Sequence, residues 1–192
     1  MPKLPAREMI GLQRHTVRVV EHNPGWAALA DEACRQVRAA GGDSIADVQH
    51  VGSTAVLGLP AKPIIDLVVG LQTMRVLESV KGALLTLGYL YRGIGADSLS
   101  HLFVLESAPD FRTEHLHVIP LGGTQWDSYI VFRDRLRSDR YLVKEYGRLK
   151  QRLRVCYPND RKRYTAGKAA FILSVIGAQQ GAAAKRRPRH RR

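Results

Sequence analysis

An aspartate stands inside an apolar run. In Lys62-Pro63-Ile64-Ile65-Asp66-Leu67-Val68-Val69, Asp66 interrupts what otherwise reads as a strand of a buried sheet, Ile64 to Val69. Lone carboxylates are rare in such strands because burying an unpaired charge is costly. A carboxylate that points out at a strand end, towards a bound cation, avoids that cost. Upstream, Ile45 to Val51 reads as another strand, and Gly52-Ser53-Thr54 follows it at once. Glycine there lets the backbone approach a ligand closely. The N–H groups after it and two hydroxyls can surround a phosphate. The two features together predict a sheet domain with a phosphate site at Gly52, Ser53 and Thr54 beside Asp66.

The rest of the chain fits that frame. Thr16 to Glu21 alternates and is rich in β-branched residues, which predicts a strand. Asn23-Pro24 then supplies a cap and a first-turn proline for a helix to Ala40. Trp26, Leu29, Ala33 and Val37 should lie on or near one face, with a stop at Gly41-Gly42. Thr73 caps a second helix to Leu87. Short strands are predicted at Tyr89 to Arg92, Leu99 to Leu105 and Glu114 to Ile119. After Gly122-Gly123 the pattern turns helical, over Trp126 to Arg137, Tyr141 to Val155 and Asp160 to Ile176. Mixed α/β first and helices afterwards implies an α/β (α+β) class, a mixed sheet flanked by helices with a C-terminal helical layer. A Rossmann fold is excluded, because no GxGxxG follows a strand.

Charge separates the body from its end. The net charge is +13, and six of those charges lie in Lys185 to Arg192. That run reads as a disordered basic tail over 181–192, able to hold polyanions weakly and in a salt-dependent way. The remaining seven suit a site for phosphorylated ligands. Residues 1–15 are expected to be irregular and 16–180 to form the domain. No apolar run approaches the roughly 20 residues needed to cross a bilayer, and the N-terminus carries no apolar signal region. A cytoplasmic protein is the default expectation. Cys34 and Cys156 belong to no CxxC or Cys/His spacing, so neither is expected in a disulfide or metal site.

The text around Asp66 narrows the reading further. His50-Val51-Gly52-Ser53-Thr54-Ala55-Val56-x-Gly58-Leu59-x-Ala61-Lys62-Pro63-Ile64-Ile65-Asp66 resembles the signature of the GrpB-like family. The resemblance continues through Asn23-Pro24-x-Trp26, Arg112-Thr113-x-His115-Leu116-His117-Val118 and Phe132-Arg133-Asp134-x-Leu136-Arg137. It closes with Tyr164-Thr165-x-x-Lys168-x-x-Phe171-Ile172, and so covers residues 16 to 177. It implies a nucleotidyltransferase-like fold. In that superfamily the Gly-Ser turn holds a triphosphate, and strand carboxylates hold magnesium ions that clamp an in-line displacement. A related domain is fused to a dephospho-CoA kinase.

Two departures stand out. The superfamily pattern wants a second carboxylate two residues after the first, and here that position is Val68. GrpB-like sequences also carry an arginine-bearing loop where this chain reads Gly93-Ile94-Gly95-Ala96-Asp97-Ser98, and His101 is the nearest replacement. His115 and His117 share one strand face and could sit beside Asp66, for a metal, a phosphate or a transferred proton. The alternative is a hydrogen-bonded core histidine and a solvated one. Lys62 and Arg112 could reach a polyphosphate, and Arg133 and Lys168 could face the site from the helices; the alternative for both is solvated helix surface.

The expected activity is therefore that of a metal-dependent nucleotidyltransferase. It would act on a nucleoside triphosphate and a small acceptor, with Mg2+ or Mn2+ on Asp66 and His117, phosphates on Gly52 and Ser53, and His115 or His117 handling a proton. The alternative is a module that keeps a nucleotide or a CoA-like phosphate without chemistry, or a member recruited to a biosynthetic pathway.

Overall fold

The computed structural model describes residues 10–95 and 99–185, with side chains through 177. Among the described residues six strands form one mixed sheet. They are β1 (Leu12–Gln13), β2 (Asp47–Val51), β3 (Ile65–Leu71), β4 (Leu90–Ile94), β5 (His101–Ala108) and β6 (Phe111–Pro120). The order is β2-β3-β6-β5-β4, and β1 pairs with the start of β6. The contact of β3 with β6 is parallel, and the other pairings are antiparallel.

The sheet has two differently used faces. Leu67, Val69, Leu71, Leu116 and Val118 pack under the helices α1 (Gly25–Gly41) and α2 (Leu77–Thr86). As the spacing predicts, α1 buries Trp26, Ala33 and Val37, with Ala30 beside them. Its first free N–H groups are met by Asn23, whose Oδ1 accepts from the Gly25 amide at 2.8 Å. The opposite face carries Val51, Asp66, Val68, His115, His117 and Ile119, the alternate residues of the same strands. Against it pack α3 (Thr124–Ser138) and, beyond it, α4 (Arg140–Cys156), α5 (Arg161–Ala166) and α6 (Ala169–Lys185). The expected α/β (α+β) class, a mixed sheet flanked by helices with a C-terminal helical layer, is what the structure shows. No helix of the described residues is long and apolar enough to cross a membrane.

Four local readings need correction. Thr16 to Glu21 is not a strand of the sheet, and only Val20 bridges, to Ala61. Val17 and Val19 are buried, but they spend their apolar surface on Tyr164, Leu153 and Tyr157 instead of on a neighbouring strand. Residues 10–15 are not wholly irregular, since Leu12 and Gln13 pair with β6. The helix expected from Asp160 to Ile176 is two helices, α5 and α6, divided at Gly167 and Lys168. The last of them runs to Lys185, so residues 181–185 of the expected tail are helical, and 186–192 lie outside the described residues.

Candidate functional site

The register of the sheet builds the site. β3 and β6 run parallel with Asp66 beside His115, and β2 places Val51 on the other flank of Asp66. The chain leaves β2 through Gly52 at φ 70°, a left-handed conformation that L-residues with side chains avoid. A short 3-10 turn, Ser53–Ala55, follows. Gly52 is needed twice, because a Cβ there would lie 2.7 Å from Asp66 Oδ2. Turn and carboxylate are packed against each other in the lining of a cavity of about 1050 Å3.

His115 Nδ1 lies 3.0 Å from Asp66 Oδ1, and its Nε2 lies 3.2 Å from an Arg161 Nη2 nitrogen. A guanidinium only donates, so Nε2 accepts, and Nδ1 carries the proton that it donates to the carboxylate. The imidazole is therefore neutral. Burial holds its pKa below the usual histidine range, against the pull of Asp66. At Asp66 burial pushes the other way. The hydrogen bond from His115, with the nearby charge of Lys62, outweighs it and keeps the carboxyl below the ordinary carboxylate range, with 31% of the side chain exposed.

Cations surround this pair. The Tyr164 ring has Lys62 Nζ 5.8 Å from its centroid and Lys168 Nζ 4.8 Å from it. Lys150 is 2% exposed, donates to the Pro60 carbonyl and lies 4.7 Å from the Tyr146 centroid. Burial, aided by Arg161 and Lys168, pushes the Lys62 ammonium down to about 7. Burial lowers Lys150 and Lys168 as well. Among the described residues seven lysine and arginine side chains line the cavity against one carboxylate, Asp66; two of them, Arg14 and Arg112, are also paired with Asp110 and Glu106. Ser53 meets the Tyr146 hydroxyl on the wall. His117 leans on Tyr129 with ring centroids 5.2 Å apart.

The sequence-derived candidates divide accordingly. Gly52, Ser53, Lys62, Asp66, Arg112, His115, His117 and Lys168 line one cavity. Thr54 reaches its wall, but the side chain is 2% exposed and bonded to His50 Nε2 at 3.0 Å, so its hydroxyl is already committed. Arg133 does not join them. It is 8% exposed and spends its donors on Gln49 Oε1, the His50 carbonyl and Asp134, tying α3 to β2. His101 bonds to the Tyr91 hydroxyl and lies opposite Val118 on the other face of the sheet, so it does not replace a loop arginine. Residues 96–98 of that loop lie outside the described residues. Arg161 and Lys150 carry site chemistry that the sequence reading did not single out. The signal for Arg161 was its place directly after the cap residue Asp160.

The donor set does not fit a two-metal centre. Magnesium asks for near-octahedral oxygen ligands, usually more than one of them anionic. Asp66 stands alone here, the second carboxylate position is the fully buried Val68, and both ring nitrogens of His115 are engaged. Among the described residues no group of three or more His, Cys, Asp or Glu is placed to hold a metal ion.

Comparison with known proteins agrees with this architecture. The glutamate-rich protein GrpB of Alkalihalophilus pseudofirmus is 32% identical over 173 residues, 88% of this chain and 98% of the relative. The crystal structure of conserved protein GrpB from Enterococcus faecalis superposes with a TM-score of 0.76 at 28% identity. It covers 84% of this chain and 96% of that one. A dephospho-CoA kinase of Mycolicibacterium paratuberculosis is 26% identical over 184 residues, 84% of this chain but 45% of that protein. The profile of the GrpB protein family matches residues 16–177, and the chain belongs to that family.

Proposed function

We propose that the cavity binds a small phosphorylated molecule, a nucleotide or a CoA-like compound. Its phosphates would lie among Lys62, Arg161 and Lys168 beside the Gly52-Ser53 turn. The observation that carries this reading is the gathering, among the described residues, of seven cationic side chains and one carboxylate in a single cavity. Like charges gathered at a partly buried site repel one another and lose hydration, and burial drives the lysine pKa values down. A polyanion removes that penalty. The name of the dephospho-CoA kinase relative supports the CoA-like version.

A second reading is transfer of a nucleotidyl or phosphoryl group to a small acceptor. The Asp66–His115 pair favours it, because a carboxylate-oriented neutral imidazole is a form suited to accepting a proton. The cations would neutralise charge developing on phosphorus in place of the Mg2+ or Mn2+ expected from the superfamily pattern.

A thermal-shift panel of nucleoside triphosphates, dephospho-CoA, CoA and inorganic pyrophosphate, with and without Mg2+, tests both readings. A ligand at about a hundred times its dissociation constant should add about 2.7 kcal/mol, a rise of several degrees. That rise should survive chelation of the metal. A folded protein that none of these compounds stabilises would sink the phosphate reading. A rise seen with Mg2+ alone and abolished in Asp66→Ala would restore the metal-dependent one.

A further inference from the structure

Arg161 connects two features of the cavity that are otherwise separate. One of its terminal nitrogens donates to His115 Nε2 at 3.2 Å. The other, Nη1, is buried and meets no hydrogen-bond partner within the protein. A buried guanidinium donor without a partner is costly, and native structures keep few of them. The same side chain lines the cavity together with Lys62 and Lys168. Arginine presents its donors as a planar fork that matches two oxygens of one phosphate.

We infer that Arg161 is a ligand-responsive cover on His115: its fork takes a phosphate of the bound molecule, and in turning to it releases His115 Nε2. The inference rests on the phosphate reading above. A charge-assisted bond to phosphate is about twice as strong as a neutral one, so the guanidinium gains by exchanging an imidazole for a phosphate. Nε2 is then the exposed lone pair of a ring whose other nitrogen is fixed by Asp66. It can take a proton from a water or hydroxyl held beside the phosphate. The electron pair stays on that oxygen, and the imidazolium so formed rests against the Asp66 carboxylate. The proton acceptor is thus uncovered when the anionic ligand is in place.

The test follows the ring nitrogens by NMR with 15N-labelled histidine, using inorganic pyrophosphate as the probe and His115→Gln to assign the resonances. In the wild-type protein, pyrophosphate should move the His115 Nε2 resonance towards that of an unbonded lone pair. In Arg161→Ala it should sit there without ligand, and pyrophosphate should bind about tenfold or more weakly. Arg161→Lys keeps the charge and loses the fork; should the alanine variant fail to fold, it should show the same uncovering and weaker binding. Pyrophosphate that stabilises the protein yet leaves the Nε2 resonance unmoved would overturn the cover and leave the cavity a phosphate site. Binding unaffected in either arginine variant would overturn it too. Failure of every phosphate compound to stabilise the protein strikes the underlying reading first.

Discussion

The Cβ that Gly52 lacks would stand 2.7 Å from Asp66 Oδ2, so turn and carboxylate occupy space that only glycine leaves open. Gly52→Ala should therefore cost about 2–4 kcal/mol, from a left-handed backbone and a clash together. Asp66→Ala removes the carboxylate contacts at 2.7 and 3.2 Å, leaving its own Cβ 3.0 Å from the new methyl and the backbone conformation unchanged. In a double-mutant cycle by urea unfolding, the pair should cost less than the sum of the single changes by more than about 0.5 kcal/mol. Strict additivity would mean that the two residues do not press on each other.

Arg133 offers a contrast between structure and function. Its donors hold Gln49, the His50 carbonyl and Asp134, away from the cavity. Arg133→Met leaves partly buried acceptors without donors and should destabilise by about 1–3 kcal/mol. The affinity of the folded variant for pyrophosphate should match wild type within about twofold. A selective loss of affinity, with stability intact, would return Arg133 to the site.

How much of this was readable from the chain depended on the range of the contacts involved. The Gly52-Ser53 turn and Asp66 are marked by local text, a strand stop and a charge in an apolar run, so they could be named directly. The alternation of β6 put His115 and His117 on one face, but only the parallel register with β3 sets His115 beside Asp66. Arg133 and Arg137 share a helix face in sequence, yet that face meets β2 and the turn after it, where Arg137 donates to the Ala55 carbonyl. Arg161 had no local signature beyond its place after the cap residue Asp160. Its partner His115 is 46 positions away, and α5 brings them together through the packing of Tyr164. Thr16 to Glu21 failed for a related reason: alternation reports burial on one side and does not say whether a strand or a helix does the covering.

His50 gives the fold a pH dependence. Burial pushes its pKa down to about 4, and the ring is bonded to Thr54. The unfolded chain keeps a value near 6.5, so it binds the extra proton first as pH falls. The contribution is fully present above about pH 6.5 and is lost on the way down towards 4. Between pH 7.5 and 5 it amounts to about 2 kcal/mol. His50→Gln cannot take up that proton. Urea midpoints at the two pH values should show the variant losing about 2 kcal/mol less than wild type. An equal loss in both proteins would place the ring's pKa near its ordinary value.

Lys168 should separate stability from binding. Burial lowers the pKa of its ammonium even though Asp66 pulls the other way, and Arg161 adds to the lowering. The cavity thus holds a charge that folding does not need. Lys168→Met keeps an apolar stem over the Tyr164 ring and removes the charge. The ligand-free variant should gain about 1 kcal/mol, seen as a rise in Tm, while its affinity for pyrophosphate falls about tenfold. The opposite signs carry the argument, because a residue kept for packing would lose stability on substitution and a residue exposed to water would change neither. Loss of stability and affinity together would show that the Tyr164 contact holds the helices, and that the cluster of cations serves the fold before it serves a ligand.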